Sequence, residues 1–133
     1  MTVRVLISDK MDPKAAAIFR ERGIAVDEKP GLAPDELKAI IGDYDGLAIR
    51  SATKVTKGIL EAADKLKVVG RAGIGVDNVD IPSATARGVV VMNTPFGNSI
   101  TTAEHAIALM FALARQLPEA DASTQQGKWE KNR

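Results

Sequence analysis

The sequence has no cysteine, which excludes structural disulfides and thiolate chemistry alike. A second histidine is also missing, so the aspartates at 77 and 80 have no imidazole pair with which to build a zinc site. No excess of one charge exists: 18 Lys and Arg stand against 17 Asp and Glu, interspersed, for a net charge of +1. That balance argues against a general nucleic-acid surface. Long apolar runs are absent. The nine residues from Ala106 to Ala114, bracketed by Glu104, His105 and Arg115, fall short of the ~20 a membrane helix needs. The opening MTVRVLISDK lacks the apolar stretch of a secretory signal, and the chain reads as soluble and cytoplasmic. Self-similar repeats are absent too.

What is present is an alternation of short β-branched runs and helical stretches within 133 residues, enough for one domain or one domain plus a piece of another. Strands are expected at 3–8, 24–28, 46–50, 67–71 and 89–93. Asp12, Pro13 and Gly23 frame a first helix; a proline opens and Gly42 closes a second. Helices are also expected from Thr56 to Asp64 and over 81–88. The strands do not alternate strictly, as expected when helices cover both faces of a sheet. Five βα repeats imply an α/β fold with a doubly wound, parallel, five-stranded sheet of flavodoxin-like type over residues 1–97. Residues 98–133 differ in character. After the turn-rich Asn93–Ser99, Thr101-x-x-Glu104 resembles a capping box, and Ile100, Ala103, Ile107, Met110, Ala114 and Leu117 form one stripe of a long helix. Leu109, Phe111 and Leu113 make other faces apolar as well, so this helix is expected to be buried partly against something outside the chain. The polar tail carries Trp129 as an expected docking anchor and ends without a stop signal, reading as truncated.

The stretch VVGRAGIGVDNVD, Val68 to Asp80, sets a strand against a glycine cluster. A dinucleotide fingerprint needs G-x-G-x-x-G and an acidic residue about 20 positions later. Here the third glycine position holds Asn78, and Asn93-Thr94-Pro95 supplies no carboxylate. No Gly-Lys-Ser/Thr follows either, which excludes a phosphate P-loop. In an open parallel sheet, ligands bind beyond the carboxyl ends of the strands. Those ends read Ser8-Asp9, Arg50-Ser51, Arg71-Ala72-Gly73-Ile74-Gly75 and Asn93-Thr94-Pro95. The pattern suits an anion held by backbone N–H groups, with Arg50 and Arg71 beside it and Lys54 and Lys57 at the mouth. Blander roles stand beside this one. Gly73 and Gly75 also suit a tight turn, Arg71 could pair with Asp77 or Asp80, and those aspartates could cap. His105 reads as a packing residue rather than a base, and Ser51 and Thr53 have no histidine within sequence reach. A phosphoacceptor receiver fails because strand 3 ends in Arg50 and strand 5 in Asn93; a flavodoxin fails because SDKMDP is no hydroxyl-rich phosphate loop.

IRSATKVT (49–56), VVGRAGIGVDNVD (68–80), GVVVMNTPFGNSITTAEHAIALMFALAR (88–115) and GKWEKNR (127–133) together resemble, in that order, the D-2-hydroxyacid dehydrogenases. The resemblance covers essentially the whole chain. It implies a substrate-binding domain of flavodoxin-like form, followed by the hinge and helical dimerisation arm that open a nucleotide-binding domain. It also implies an NAD-dependent oxidation of a small anionic 2-hydroxy acid, and a homo-oligomer formed through the 100–117 helix. Arg50 and Ser51 would contact the substrate's acidic groups, and Arg71, Ala72, Gly73, Ile74 and Gly75 its carboxylate. Ile74 would lie close to the nicotinamide end of NAD. Paired arginines favour a doubly anionic substrate without proving a phosphate, and glyoxylate, D-lactate or hydroxypyruvate are the alternative substrates. The family's dinucleotide motif and its catalytic Arg, Glu and His do not occur in these 133 residues, so the chain alone is expected to be inactive. Outside the family, a standalone anion-binding module would also account for the rim.

Overall fold

Leu6, Leu47 and Val69 stand in register on three neighbouring parallel strands and are almost free of solvent contact. They belong to a computed structural model that describes residues 2–130. The strands are β1 (Arg4–Ile7), β2 (Ala25–Glu28), β3 (Gly46–Ile49), β4 (Val68–Arg71) and β5 (Val90–Met92). All pair in parallel, in the order β2-β1-β3-β4-β5. The expected α/β architecture with a five-stranded parallel sheet is therefore present, with each strand within about a residue or two of its expected span. Two compact units divide the chain, Met1–Gly97 and Asn98–Arg133, and the sheet belongs to the first.

Four helices connect the strands: α1 (Pro13–Glu21), α2 (Pro34–Ile40), α3 (Lys57–Glu61) and α4 (Ile81–Ala86). A right-handed crossover from β1 to β2 runs one way across the sheet, and the later crossovers run the other. This puts α1 on one face and α2, α3 and α4 on the opposite one. The core lies on the three-helix face, where Leu6, Leu47, Ile49 and Val69 meet Leu37, Ile41, Ile59, Leu60 and Ala84. On the α1 face Val5, Ile7 and Ala16 are buried, but Val90 and Met92 are 57% and 54% exposed. Coverage of the two faces is thus unequal, because a single crossover serves the second face and packs near β1 and β2.

Helix boundaries follow local chemistry. Asp12 caps α1, its carboxylate accepting the Lys14 N–H at 2.9 Å, and Gly23 turns the chain out at a φ of 73°. At α2 the Glu36 carboxylate reaches back to accept the Ala33 N–H at 2.7 Å. Gly42 does not close this helix through a left-handed turn. The chain runs on into a 3-10 turn, Ile41–Asp43, and a Cβ on Gly42 would stand 2.9 Å from the Ala62 carbonyl oxygen. Bare backbone is needed there for close packing. Helix α3 is shorter than expected, since the chain passes beyond Glu61 into successive turns that bury Ala63 and Leu66.

In the second unit, α5 (Ser99–Ala114) starts two residues ahead of Thr101, with the Asn98 carbonyl accepting the Thr102 N–H at 2.9 Å. Thr101 and Glu104 therefore lie inside the helix and form no capping box. The expected stripe also ends before Leu117. Gln116 adopts a left-handed conformation with φ 49°, and Leu117 with Pro118 opens a separate helix, α6 (Leu117–Gln125). No residue of α5 is buried, and Leu113 is 82% exposed. His105 is exposed as well, contrary to its expected packing role. Trp129 is exposed beside a recess of about 400 Å³ that Arg115, Glu119 and Lys128 also line. The last three residues of GKWEKNR lie outside the described residues. Among the described residues, no helix is long and apolar enough to cross a membrane.

Two glycines separate packing from propensity. Gly42→Ala pushes a methyl group against backbone, and the expected cost is about 1–3 kcal/mol. Gly70→Ala meets nothing within 4 Å and is expected to be neutral or slightly stabilising. Urea denaturation of both variants checks this; equal midpoints would remove the close-packing role of Gly42.

Candidate functional site

Because every strand is parallel, every strand's carboxyl end reaches the same edge of the sheet. Ser8, Asp9 and Lys10 follow β1, Arg50 and Ser51 follow β3, Arg71 closes β4, and Asn93 follows β5. Ile49 and Arg71 are register partners, so the two arginines leave adjacent strands. The strand ends expected to form the rim all lie at this edge of the first unit.

The loop after β4 is fastened to its neighbours. The Ala72 N–H donates to the Ile49 carbonyl at 2.9 Å, and the Gly73 N–H donates to the Arg71 carbonyl at 3.0 Å. Asn93 Nδ2 donates to the Ile74 carbonyl at 2.7 Å, while the Thr94 N–H donates to the Gly73 carbonyl at 3.0 Å. These bonds use the amides of Ala72 and Gly73, which are therefore not free to hold an anion. Among the described residues, the N–H groups of Ile74 and Gly75 have no hydrogen-bond partner. Donors suited to an anion are thus narrower than the glycine pattern suggested.

Gly73 makes room for the arginine, and Gly75 for a carboxylate. A Cβ at Gly73 would stand 2.5 Å from Arg71 Nη1, and one at Gly75 would stand 2.8 Å from an Asp77 carboxylate oxygen. Space that a dinucleotide pyrophosphate would need is taken by Arg71 itself, with a carboxylate beside it. The half-buried Arg71 has a buried Nε without a hydrogen-bond partner. Among the described residues it makes no ion pair with Asp77 or Asp80. Asp80 instead caps α4, accepting the Ser83 N–H at 3.0 Å. A guanidinium without an ion pair is an anion-seeking group.

Arg50 and Ser51 are exposed, as are Ala72, Ile74 and Gly75. The Arg50 guanidinium donates from Nη1 to the Lys10 carbonyl at 3.2 Å, and its backbone N–H donates to Asp9 Oδ2 at 2.6 Å. A recess of about 440 Å³ opens here, lined by Lys10, Met11, Asp12, Ala15, Arg50 and Ala72. Lys54 lines a different recess with Ser51, Asp77 and Asp80, and Lys57 faces Glu61 on its own helix at 3.8 Å. Lys10, not Lys57, is the lysine at the Arg50 recess; its place just past β1 was the available sequence signal.

Asp9 is only 5% exposed. Burial by itself raises a carboxyl's pKa, but the Thr53 hydroxyl and the N–H groups of Arg50, Thr53 and Ala52 favour the anion and leave Asp9 below the usual carboxylate range. A carboxyl whose folded pKa is lowered stabilises the fold above its unfolded pKa, about 3.9. That contribution is lost as pH falls through the lower folded value. Asp27, held low by the Tyr44 hydroxyl and Arg4, acts in the same direction, so the comparison must be between variants. Between about pH 4 and pH 2, wild type is expected to lose more stability than Asp9→Asn. Parallel losses in acid denaturation would show that the Asp9 charge contributes nothing.

With this geometry in place, comparison with known proteins is informative. The sequence profile described as D-isomer specific 2-hydroxyacid dehydrogenase, catalytic domain, matches residues 5–128. Human D-3-phosphoglycerate dehydrogenase is 52% identical over 130 residues, covering 98% of this chain and 24% of that protein. The Archaeoglobus fulgidus D-3-phosphoglycerate dehydrogenase is 47% identical over 131 residues, covering 98% and 25%. The chain thus spans about a quarter of the length of these curated relatives. A crystal structure of NAD+-bound 3-phosphoglycerate dehydrogenase from Entamoeba histolytica superposes with a TM-score of 0.75 at 28% identity, over 84% of this chain and 39% of that one. The profile match, spanning nearly all of the sequence, establishes that the chain belongs to the D-isomer specific 2-hydroxyacid dehydrogenase family.

Proposed function

We propose that this chain supplies the substrate-binding portion of an NAD-dependent D-3-phosphoglycerate dehydrogenase, which oxidises 3-phosphoglycerate to 3-phosphohydroxypyruvate in the first step of serine biosynthesis. The observation that carries the reading is the pair of arginines leaving adjacent strands, neither of them in an ion pair among the described residues. A substrate with a carboxylate at one end and a phosphate at the other needs two cationic sites. Arg71, with the free N–H groups of Ile74 and Gly75, suits the carboxylate. Arg50, at the recess shared with Lys10, suits the second anionic group, with Ser51 beside it.

NAD supplies the hydride acceptor in this chemistry. The residues present offer it Ile74, a 42% exposed apolar side chain on the loop, and no pyrophosphate cradle, since Arg71 and Asp77 fill that space. The sequence of this chain contains no G-x-G-x-x-G motif, and its single histidine is exposed on α5. Hydride transfer also requires a general acid or base within hydrogen-bond reach of the reacting hydroxyl. The 133 residues by themselves bind and orient, and do not catalyse.

The second unit carries the oligomeric part of the proposal. Ile107, Leu109, Met110, Phe111 and Leu113 expose apolar surface along α5, a patch of the kind that pairs with another protein surface. A second copy of this chain, meeting helix to helix, is the proposed partner.

Backbone amide NMR during titration with 3-phosphoglycerate tests the site. Shifts are expected at Gly73 to Gly75, and Arg50→Ala is expected to weaken binding by roughly 10- to 150-fold, the worth of a charge-assisted hydrogen bond. Tighter binding of glyoxylate or D-lactate would reassign the substrate. Light scattering after size exclusion tests the helix: a dimer is expected, converted to monomer by Leu113→Glu. A monomeric wild type would remove the pairing role of α5.

A further inference from the structure

We propose that Asp9 is the positioning residue for Arg50, acting from the neighbouring strand to set the direction in which that arginine meets its anion. This rests on the reading of Arg50 as a substrate contact. The turn at 50–53 holds inward-facing N–H groups that β3 no longer pairs. Asp9, 41 residues away in sequence, meets them with both oxygens. Oδ2 accepts the Arg50 N–H at 2.6 Å, Oδ1 accepts the Thr53 N–H at 3.0 Å, and Oδ1 also accepts the Thr53 hydroxyl at 2.6 Å.

The opposite polarity is met from another loop. Asn78 Nδ2 donates to the Arg50 carbonyl at 2.8 Å and to the Thr53 carbonyl at 2.7 Å. A parallel bridge between Val55 and Val79, with the Val55 N–H donating to the Asn78 carbonyl at 2.8 Å, locks that loop in place. Lys10 then completes the hold, its carbonyl accepting from the Arg50 guanidinium at 3.2 Å. Adjacent residues 9 and 10 therefore fix Arg50 at its backbone and at its charged tip. A carboxylate beside an anion site carries a Coulombic penalty for the ligand. Its presence on this rim is accounted for by the hydrogen bonds it accepts.

The penalty makes the test directional. Asp9→Asn removes a negative charge, so electrostatics alone would tighten binding of 3-phosphoglycerate. Positioning predicts the reverse, because an amide keeps one acceptor oxygen and turns a donor toward the other of the two N–H groups. Binding is expected to weaken about tenfold in Asp9→Asn. In an Arg50→Ala background the same change is expected to cost less than about twofold, since the arginine it orients is gone. Thr53→Val, which keeps shape and removes one hydroxyl donor, repeats the cycle should Asp9→Asn fold poorly. Tighter binding, or an equal loss in both backgrounds, overturns the proposal. If Arg50→Ala leaves binding unchanged, the substrate reading fails on its own, and amide hydrogen exchange decides the bracket. Faster exchange confined to Arg50 and Thr53 in Asp9→Asn supports it; acceleration shared by Leu6, Leu47 and Val69 overturns it.

Discussion

A parallel sheet sends the carboxyl ends of all its strands to one edge, and that constraint underlies everything at this rim. Strand β1 brings Asp9 and Lys10, β3 brings Arg50, β4 brings Arg71, and β5 brings Asn93. In an antiparallel sheet of the same strand order, Arg50 and Asn93 would lie at the edge opposite Asp9, Lys10 and Arg71. The price is that backbone N–H and C=O groups just past each strand lose their ladder partners. Side chains and neighbouring loops satisfy them: Asp9 and Asn78 around the Arg50 turn, and Asn93 around the Arg71 loop.

This division separates two kinds of polar group. Asp9, Asn78 and Asn93 direct hydrogen bonds to backbone and hold shape, although the buried Asn78 Oδ1 itself has no partner among the described residues. Arg71 remains without an ion pair among the described residues, and the amides of Ile74 and Gly75 remain unbonded. Under the proposed reading, a rim braced in this way, with Arg71 and two loop amides left over, suits an anion. Membership of the 2-hydroxyacid dehydrogenase family agrees with that electrostatic character.

The five parallel strands were legible because each β-branched run is short and is bounded by proline, glycine or a capping aspartate. The placing of Arg50 and Arg71 at one edge was legible because strand ends in a parallel sheet all reach that edge. Other features were less so. Thr101-x-x-Glu104 has the spacing of a capping box, yet α5 begins at Ser99 because the Asn98 carbonyl takes the first amide. The stripe to Leu117 is continuous in sequence but broken in space by the left-handed Gln116. Lys57 looked like part of the cationic mouth and instead faces Glu61, four residues along its helix.

Local periodicity, turn residues and the order of elements determined the strands and the edge to which their carboxyl ends run. Those properties depend on nearest neighbours and on chirality, which a sequence carries directly. Tertiary structure alone decided which groups at that edge are spent and which are free. Gly73 became space for a guanidinium, Gly75 space for a carboxylate, Asp9 became an acceptor for a turn 41 residues away, and the loop amides of Ala72 and Gly73 were taken up by backbone carbonyls. Hydrogen-bond satisfaction is settled between chain segments distant in sequence, and only their packing brings donor and acceptor within reach.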